Sequence, residues 1–168
     1  MIVDERLVTY INSLDTGNTE ILDQIEKEAI AAYVPIIRKE MQSFLKLLLA
    51  MQKPMRSLEV GTAVGFSAIL MAQYAPADCK IVTIENYEKR IPVAKENFKR
   101  AGKDEQITLL EGDAMQILPT LSGEFDMIFM DAAKGQYINF MPDILKLLKS
   151  GGVLVSDNVL QDGDIIES

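Results

Sequence analysis

The sequence predicts an α/β fold in which one parallel sheet carries helices on both faces. Beyond Pro54, short apolar runs alternate with amphipathic segments of helical period. The apolar runs are continuous, which is typical of strands buried on both faces of a parallel sheet. Glycines follow the amphipathic segments, where a helix ends and the chain turns to the next strand. A repeated strand-helix order favours crossover connections and therefore a parallel sheet.

Five strands and four helices are predicted in this alternating part. The strands are expected at residues 57–60, 81–84, 107–110, 125–130 and 153–156. The helices are expected at residues 66–74, 88–101, 114–118 and 137–148. Ligands of such sheets bind beyond the carboxyl ends of the strands, where the strand order reverses. Polar residues that directly follow a strand are therefore the candidates for a functional site.

Two further helices are predicted before the alternating part. Residues 19–33 place apolar side chains at three- and four-residue intervals, with Thr19 as the N-cap. A second helix is expected to begin at Pro35 and to end before Pro54. Both helices are expected to cover the sheet.

The composition indicates one globular domain. The chain has 168 residues, of which 48% are apolar and 25% are charged, a balance typical of folded domains. No stretch rich in Pro, Gly or Ser divides it, so residues 1–168 are predicted to form a single domain. Within that domain, residues 1–53 would form a helical N-terminal part and residues 54–168 the α/β core.

Missing residue types exclude several kinds of chemistry. The chain contains no histidine, which excludes Ser-His-Asp and Cys-His catalysis and zinc sites with histidine ligands. Its single cysteine, Cys79, has no partner for an internal disulfide and suits a reducing cytoplasm. A net charge of -8 argues against broad, non-specific binding to a phosphate backbone. No apolar stretch has the length of a membrane span, so a cytoplasmic protein without a membrane partner is expected.

A glycine turn follows the first predicted strand. The segment Leu-Glu-Val-Gly-Thr-Ala-Val-Gly-Phe-Ser carries Gly61 and Gly65, which allow a tight turn and a close approach of a ligand to the backbone. The helix that follows offers free backbone N–H groups to that ligand. The Gly-x-x-x-Gly spacing differs from that of dinucleotide-binding loops, and no Gly-Lys-Ser/Thr of a P-loop follows. A plain turn between a strand and a helix is the structural alternative.

Carboxylates follow the second and third predicted strands. Glu85 comes 24 positions after Gly61, where a carboxylate can accept both hydroxyl hydrogens of a ribose. The alternative is a solvated charge, with Asn86 as the cap of the next helix. Asp113 can accept a hydrogen bond from an adenine amino group or cap the helix that begins at Ala114. The glycine turn and Glu85 together point to a cofactor that contains a nucleoside.

Oxygen-bearing side chains follow the fourth and fifth predicted strands. Asp131 follows one strand, and Asp157 and Asn158 follow the other, so both sets face the same edge of the sheet. Two carboxylates and one amide oxygen, with no His or Cys nearby, suit Mg²⁺, with Ca²⁺ or Mn²⁺ as alternatives. An Asp–Lys pair and an Asx-turn would explain the two segments separately. Both segments together, added to the cofactor signals, favour the metal site.

These segments together resemble the metal-dependent O-methyltransferases that use S-adenosylmethionine, the family of catechol and caffeoyl-CoA O-methyltransferases. The resemblance runs from about Tyr33 to the end of the chain. It rests on the glycine turn, Ile-Glu, Gly-Asp-Ala, Met-Asp-Ala-Ala-Lys-Gly-Gln-Tyr and Ser-Asp-Asn-Val-Leu. Within the family the sequence looks similar to bacterial members that methylate 5-hydroxyuridine in tRNA. Val-Pro-Ile at Val34 and the Asp-Ala-Ala-Lys-Gly-Gln-Tyr segment carry this narrower match.

The resemblance implies a role for each candidate residue. S-adenosylmethionine would be held by Glu59, Gly61, Thr62, Gly65, Ser67, Glu85, Asp113, Ala114 and Asp131. In this set, Ser67 would hold the carboxylate of the cofactor and Glu85 its ribose. Asp113 and Ala114 would contact the adenine. The metal ligands would be Asp131, Asp157 and Asn158, and the catalytic residues would be Asp131 and Lys134, with Lys134 as the general base.

The resemblance also implies the fold of the family. The family fold is a Rossmann-like class I methyltransferase sheet of seven strands, so this chain would lack the last two strands and leave its fifth strand as an apolar edge. The N-terminal helices would shape a substrate lid or a dimer face, and a homodimer is expected.

The predicted reaction is methyl transfer to a metal-chelated hydroxyl group. The first expected substrate is 5-hydroxyuridine in tRNA, and the alternative is a small catechol or a hydroxylated phenylpropanoid. Two predictions come from other classes: a nucleotide-dependent oxidoreductase and a non-catalytic interaction module.

Overall fold

The computed structural model describes residues 4–159, with the backbone alone at Lys134. The helices in this range are α1 (Glu5–Ser13), α2 (Glu20–Ala31), α3 (Lys39–Gln52), α4 (Phe66–Tyr74), α5 (Ile91–Arg100), α6 (Ala114–Ile117) and α7 (Tyr137–Leu147). The strands are β1 (Arg56–Val60), β2 (Lys80–Glu85), β3 (Ile107–Glu111), β4 (Phe125–Met130) and β5 (Leu148–Ser156). A short 3₁₀ turn, Leu118–Thr120, follows α6, and another, Lys134–Gln136, precedes α7. None of the helices between residues 4 and 159 combines the length and apolar character needed to cross a bilayer.

The five strands form one parallel sheet in the order β3-β2-β1-β4-β5. β1 lies in the middle, and its Leu58 pairs with Val82 of β2 on one side and with Ile128 of β4 on the other. The strand order therefore reverses between β1 and β4, which is where sheets of this kind bind ligands. The predicted α/β fold with a parallel sheet is confirmed.

Helices cover both faces of the sheet, as predicted. Met127 and Phe129 of β4 pack on the face covered by α2 to α5. Ile128 and Met130 of the same strand pack on the face covered by α6 and α7. All four side chains are fully buried, and full burial of one such side chain stabilises a fold by about 1.5–3 kcal/mol. Both helical layers therefore hold the end of β4 in place.

The second N-terminal helix begins later than the sequence predicts. α3 starts at Lys39 and not at Pro35, and its N-cap is Arg38. The segment before it is irregular. Ile37 is buried there, and its carbonyl accepts a hydrogen bond from the side chain of Gln42 at 3.0 Å. The predicted start was wrong because these tertiary contacts outweigh the preference of proline for the first turn of a helix.

β5 is longer than predicted. It begins at Leu148, five residues before the expected start, and runs through the Gly-Gly pair. Its register against β4 shifts between Phe125 and Met127, so the extra residues form a bulge there. Gly151 has a φ of +80°, a conformation that favours glycine. Gly151 and Gly152 therefore lie in a bulge inside a strand, although glycines after a helical segment were expected to mark its end.

α1 is an element that the sequence analysis did not predict. Asp4 caps its first turn through its carboxylate, and Asn12 donates a hydrogen bond to Glu40 of α3 at 2.9 Å. None of the described side chains of α1 is buried. The available signal was the helical spacing of apolar residues such as Leu7 and Ile11.

Gly61 holds the ends of β1 and β4 close together. Its φ is +104°, and its N–H donates to the carbonyl of Ile84 in β2 at 3.1 Å. A Cβ at this position would lie 2.3 Å from the carbonyl oxygen of Asp131. Both the conformation and the space therefore require glycine, and the loop after β4 lies directly against the glycine turn.

We expect Gly61→Ala to destabilise the fold strongly, because it adds backbone strain and a clash with the Asp131 carbonyl. Gly102→Ala is the matched control, since Gly102 also has a positive φ, +61°, but a Cβ added there would meet no atom within 4 Å. Left-handed backbone costs an alanine about 1–2 kcal/mol, so a larger loss at residue 61 reflects the clash together with the added strain at a φ of +104°. Urea denaturation gives both free energies of unfolding, and equal losses would contradict the close contact.

Candidate functional site

A cleft of about 1360 Å³ runs along the carboxyl ends of the strands. Its floor consists of residues that follow each of the five strands, which is where the sequence places the candidate residues. Its roof consists of α1 and of residues 35–38. Pockets for single small molecules commonly enclose about 300–1,000 Å³, so this cleft has room for two ligands side by side.

Most of the predicted site residues line this cleft. They are Gly61, Thr62, Ser67, Glu85, Asp113, Ala114, Asp131, Asp157 and Asn158. Glu59 and Gly65 lie behind the lining residues. Lys134 begins the 3₁₀ turn before α7, and its side chain lies outside the described part of the structure.

The turn after β1 directs the start of α4 into the cleft. Thr62 N–H donates to the carbonyl of Ile84 at 3.2 Å, and Gly65 N–H donates to the carbonyl of Thr62 at 2.8 Å. Gly65 has a φ of +85°, and a Cβ there would lie 2.5 Å from the ring of Phe98. Ser67, in the first turn of α4, faces the cleft. The N-terminus of α4 therefore offers hydrogen-bond donors to an anionic group.

The carboxylate of Glu85 accepts hydrogen bonds from two loops around the cleft. Oε2 accepts a hydrogen bond from Ala63 N–H at 2.7 Å, in the turn after β1. Oε1 accepts from the N–H groups of Asn86 and Tyr87 at 3.1 and 2.9 Å. A solvated charge is the wrong interpretation, because Glu85 is only 8% exposed. A carboxylate has about four acceptor sites, so Oε2 keeps capacity for one more donor, and ribose binding stays a prediction.

Asp113 caps α6 and also lines the cleft. Its Oδ1 accepts a hydrogen bond from Met115 N–H at 2.9 Å, so the capping alternative is confirmed. Ala114 lies beside it on the cleft wall. The cap occupies Oδ1, and Oδ2 keeps its acceptor capacity. The contact with adenine therefore stays a prediction that is compatible with the cap.

Asp131 and Asp157 follow neighbouring strands at matching positions. Met130 of β4 pairs with Ser156 of β5, so the two aspartates come directly after the same rung of the sheet. Asp157 N–H donates to the carbonyl of Met130 at 3.0 Å. The structure therefore brings the predicted oxygen set, including Asn158, to one wall of the cleft.

Part of this oxygen set makes a local contact as well. Oδ1 of Asp157 accepts a hydrogen bond from Asn158 N–H at 2.8 Å, a side-chain contact of the kind that Asx residues make in loops. Among residues 4–159, no three His, Cys, Asp or Glu side chains are grouped as a cation site. The predicted set contains two carboxylates and an amide, and its metal binding stays a prediction.

Tyr137 ties the ends of β4 and β5 together, a role that the sequence analysis missed. Its hydroxyl lies 3.0 Å from the carbonyl oxygen of Met130 and 3.2 Å from that of Asp157. A single phenolic proton serves both contacts. Hydrogen bonds to backbone carbonyls leave no pattern in the sequence, so no signal could have pointed to this role.

Glu59 lies behind the cleft among hydroxyl groups. Ser67 Oγ donates to its Oε1 at 2.5 Å, and Thr83 Oγ1 donates to its Oε2 at 2.5 Å. Thr62 Oγ1 lies 2.5 Å from Thr83 Oγ1. All four side chains are buried. Burial raises the pKa of Glu59 to about 7, against the lowering effect of the bonds from Ser67 and Thr83.

Thr83 is a polar residue behind the site that sequence reasoning missed. It pairs directly with Glu59 in the register of β1 and β2. Two polar residues at paired positions of otherwise apolar strands were the available signal, because paired residues point to the same face of a sheet.

The parallel sheet is that of a Rossmann-like methyltransferase fold. The cleft at its strand ends contains a glycine turn after β1 and carboxylates after the neighbouring strands. The chain belongs to the O-methyltransferase family, whose sequence model matches residues 12–168. The family resemblance inferred from the motifs is confirmed.

Known members of the family are similar over most of this chain. Catechol O-methyltransferase of Niastella koreensis is 38% identical over 128 residues, which cover 74% of this chain and 58% of that protein. Catechol O-methyltransferase of Mycobacterium tuberculosis is 34% identical over 160 residues, which cover 94% and 73%. The crystal structure of the O-methyltransferase TomG from Streptomyces achromogenes, involved in tomaymycin synthesis and in complex with SAM, matches with a TM-score of 0.87 and 31% identity. That match covers 99% of this chain and 79% of TomG.

The chain spans only 58% of the length of the Niastella protein. The narrower similarity to enzymes that modify 5-hydroxyuridine in tRNA is not reflected in the names of these relatives and stays a prediction.

We expect the free energy of unfolding to depend on the pH through Glu59. The folded protein holds the Glu59 proton up to about pH 7, whereas an unfolded glutamate releases it near its ordinary pKa of 4.5. Between these values the unfolded state binds fewer protons, so this contribution is fully present below pH 4.5 and is lost as the pH rises through 7.

Glu59→Gln isolates this effect, because a glutamine amide can donate to Ser67 and accept from Thr83 without titrating. Urea denaturation of both proteins between pH 4.5 and 8 should show the wild type losing on the order of 2–3 kcal/mol relative to the variant. A difference that stays constant over this range would contradict the raised pKa.

Proposed function

We propose that this protein is an S-adenosylmethionine-dependent O-methyltransferase whose acceptor is a small catechol or a hydroxylated phenylpropanoid. The observation that carries the proposal is the cleft at the strand ends, which unites the glycine turn, Glu85, Asp113 and two aspartates. The TomG complex with SAM supports the cofactor. The names of the Niastella and Mycobacterium relatives support the acceptor class.

The donors and acceptors of the cleft fit S-adenosylmethionine. The carboxylate of the cofactor would meet Ser67 and the N-terminus of α4, after β1. Its ribose would donate to Glu85 at the end of β2, and its adenine amino group to Asp113 after β3. Since these strands are adjacent in the order β3-β2-β1, an extended cofactor would lie across the three strand ends.

The opposite side of the cleft fits a divalent cation. Asp131, Asp157 and Asn158 offer carboxylate and amide oxygens, the ligands that Mg²⁺ prefers, and Ca²⁺ or Mn²⁺ would accept the same set. A cation held there would lower the pKa of an acceptor hydroxyl. Because β4 lies next to β1, the acceptor would be beside the methionine end of the cofactor.

The residues of the chain would orient the acceptor and remove its proton. S-adenosylmethionine supplies a methyl group that is already activated on a sulfonium. The cleft would hold the acceptor oxygen in line with the methyl–sulfur bond, and such orientation can lower a barrier by about 7–11 kcal/mol. Lys134, three residues after Asp131, is the proposed general base for the hydroxyl proton. The roof of α1 and residues 35–38 would limit the access of water.

5-Hydroxyuridine in tRNA remains an acceptor to be tested. Its hydroxyl lies beside a 4-oxo group, so it can chelate a cation as a catechol does. The net charge of -8 disfavours a polyanionic substrate, and the names of the relatives favour catechols. A cytoplasmic homodimer is also part of the proposal.

We expect Glu85→Ala to weaken the binding of S-adenosylhomocysteine roughly 10- to 100-fold, the effect of losing hydrogen bonds to a charged group. Isothermal titration calorimetry measures the affinity. The control is Glu111→Ala, which removes an exposed carboxylate at the paired position of β3. Unchanged affinity in a folded Glu85 variant would contradict ribose binding by this residue.

A methylation assay over several acceptors tests the proposed reaction. Catechol, a caffeoyl ester and tRNA that lacks the modification are each incubated with S-adenosylmethionine, with Mg²⁺ or with a chelator. We expect Mg²⁺-dependent methylation of the small acceptors. Methylation of tRNA alone would overturn the acceptor class, and no methylation of any acceptor by a protein that binds S-adenosylhomocysteine would overturn the proposed reaction.

Asp157→Ala in the same assay tests the cation site. We expect it to lower Mg²⁺-dependent turnover at least roughly 10- to 100-fold, with the affinity for S-adenosylhomocysteine nearly unchanged. Asp104→Ala removes an exposed aspartate in the loop before β3 and serves as the control. Full activity of the Asp157 variant would remove this residue from the cation site.

A further inference from the structure

A buried polar network joins two hydroxyl groups of the cleft. It consists of Thr62, Thr83, Glu59 and Ser67, linked in that order by three contacts of 2.5 Å. Thr62 and Ser67 line the cleft, whereas Thr83 and Glu59 are fully buried behind them. The network therefore connects the glycine turn, β2, β1 and α4, which meet behind the place proposed for the amino-acid end of the cofactor.

The number of protons on each group determines the direction of the hydrogen bonds in this network. Above about pH 7 Glu59 is ionised, and a carboxylate only accepts hydrogen bonds, so Ser67 and Thr83 both donate to it. Thr83 has then used its single proton, and Thr62 is the donor in the contact between the two threonines. Every proton of the network thus points along the chain of contacts toward Glu59. Loss of one donor leaves the buried carboxylate short of a partner, which is costly in apolar surroundings.

We propose that Thr83 is a positioning residue for the amino-acid end of the cofactor: it holds Glu59, and Glu59 holds Ser67 at the cleft wall. The inference rests on the proposed function, since it takes S-adenosylmethionine as the ligand of the cleft. Each oxygen of Glu59 has one partner in the network, Ser67 on Oε1 and Thr83 on Oε2. Removal of the Thr83 hydroxyl frees Oε2, so the carboxylate can turn and take Ser67 out of place.

The effect is confined to one end of the ligand. Ser67 lies after β1, whereas Glu85 and Asp113, proposed for the nucleoside, lie at the ends of β2 and β3. Thr83 is only two residues from Glu85 in β2. A general disturbance of β2 would therefore weaken binding of the nucleoside as well, and positioning through Ser67 would not.

Two probes separate these cases, S-adenosylhomocysteine and 5′-methylthioadenosine. They share the adenosine and the thioether, but only the first carries the amino-acid group. Calorimetry on Thr83→Val at pH 8, where Glu59 is ionised, should show the affinity for S-adenosylhomocysteine reduced roughly tenfold, and that for 5′-methylthioadenosine changed less than twofold. Thr83→Ser should restore the affinity, because it keeps the hydroxyl. Thr108→Val, at an exposed position of the neighbouring β3, is the matched control and should change neither affinity.

A double variant tests whether Thr83 acts through Ser67. If it does, Thr83→Val should add little to the loss caused by Ser67→Ala, and the two effects should be clearly non-additive. Additive losses, equal weakening of both probes, or no change in either probe would overturn the positioning role. If the wild type binds neither probe, the proposed cofactor site fails and the inference fails with it.

A second measurement follows ligand binding in the wild type. The carboxyl ¹³C resonance of Glu59, assigned with Glu59→Gln, should shift when the wild type binds S-adenosylhomocysteine and stay in place with 5′-methylthioadenosine. The same shift with both ligands, or none with either, would contradict the link between Glu59 and the amino-acid end. Either of these contrary results overturns the proposal even if Thr83→Val does not fold.

Discussion

The contact between Gly61 and the backbone of Asp131 sets the geometry of the cleft. A Cβ at residue 61 would lie 2.3 Å from the Asp131 carbonyl, so the two strand ends meet with no side chain between them. The end of β1, where the cofactor is proposed to bind, and the end of β4, where the cation is proposed to bind, therefore lie next to each other. The proposed methyl transfer would need this proximity, because the acceptor oxygen and the methyl group must approach to within contact distance.

Much of the fold could be predicted because the α/β pattern is strong in the sequence. The continuous apolar runs of the sequence predicted the bounds of β1 to β4 to within about one residue at each end. The errors lie where tertiary contacts override local preference. Pro35 does not begin a helix because Ile37 is drawn into the core, and the Gly-Gly pair of β5 lies in a bulge whose register depends on β4. α1 was missed because it is short and buries no side chain among its described residues.

The site could be predicted by residue but not by interaction. Position after a strand was sufficient to find Glu85, Asp113 and Asp131, which line one cleft. At Asp113 the helix cap was given as an alternative to ligand binding, yet this residue caps a helix and faces the cleft at once. A carboxylate fixed by backbone N–H donors is already oriented toward a ligand, so a structural contact is compatible with the proposed binding role. Thr83 escaped notice because it lies behind the surface of the cleft and contacts Glu59 there.

The floor and the roof of the cleft differ in how deeply their side chains are buried. The floor belongs to a sheet whose central residues are completely buried, whereas α1 contributes no buried side chain from its described residues and is tied to α3 by a hydrogen bond between exposed groups. Segments with so little burial detach at a small fraction of the global unfolding free energy. In the proposed reaction, transient displacement of α1 would let acceptor and product exchange while the strand ends keep their arrangement.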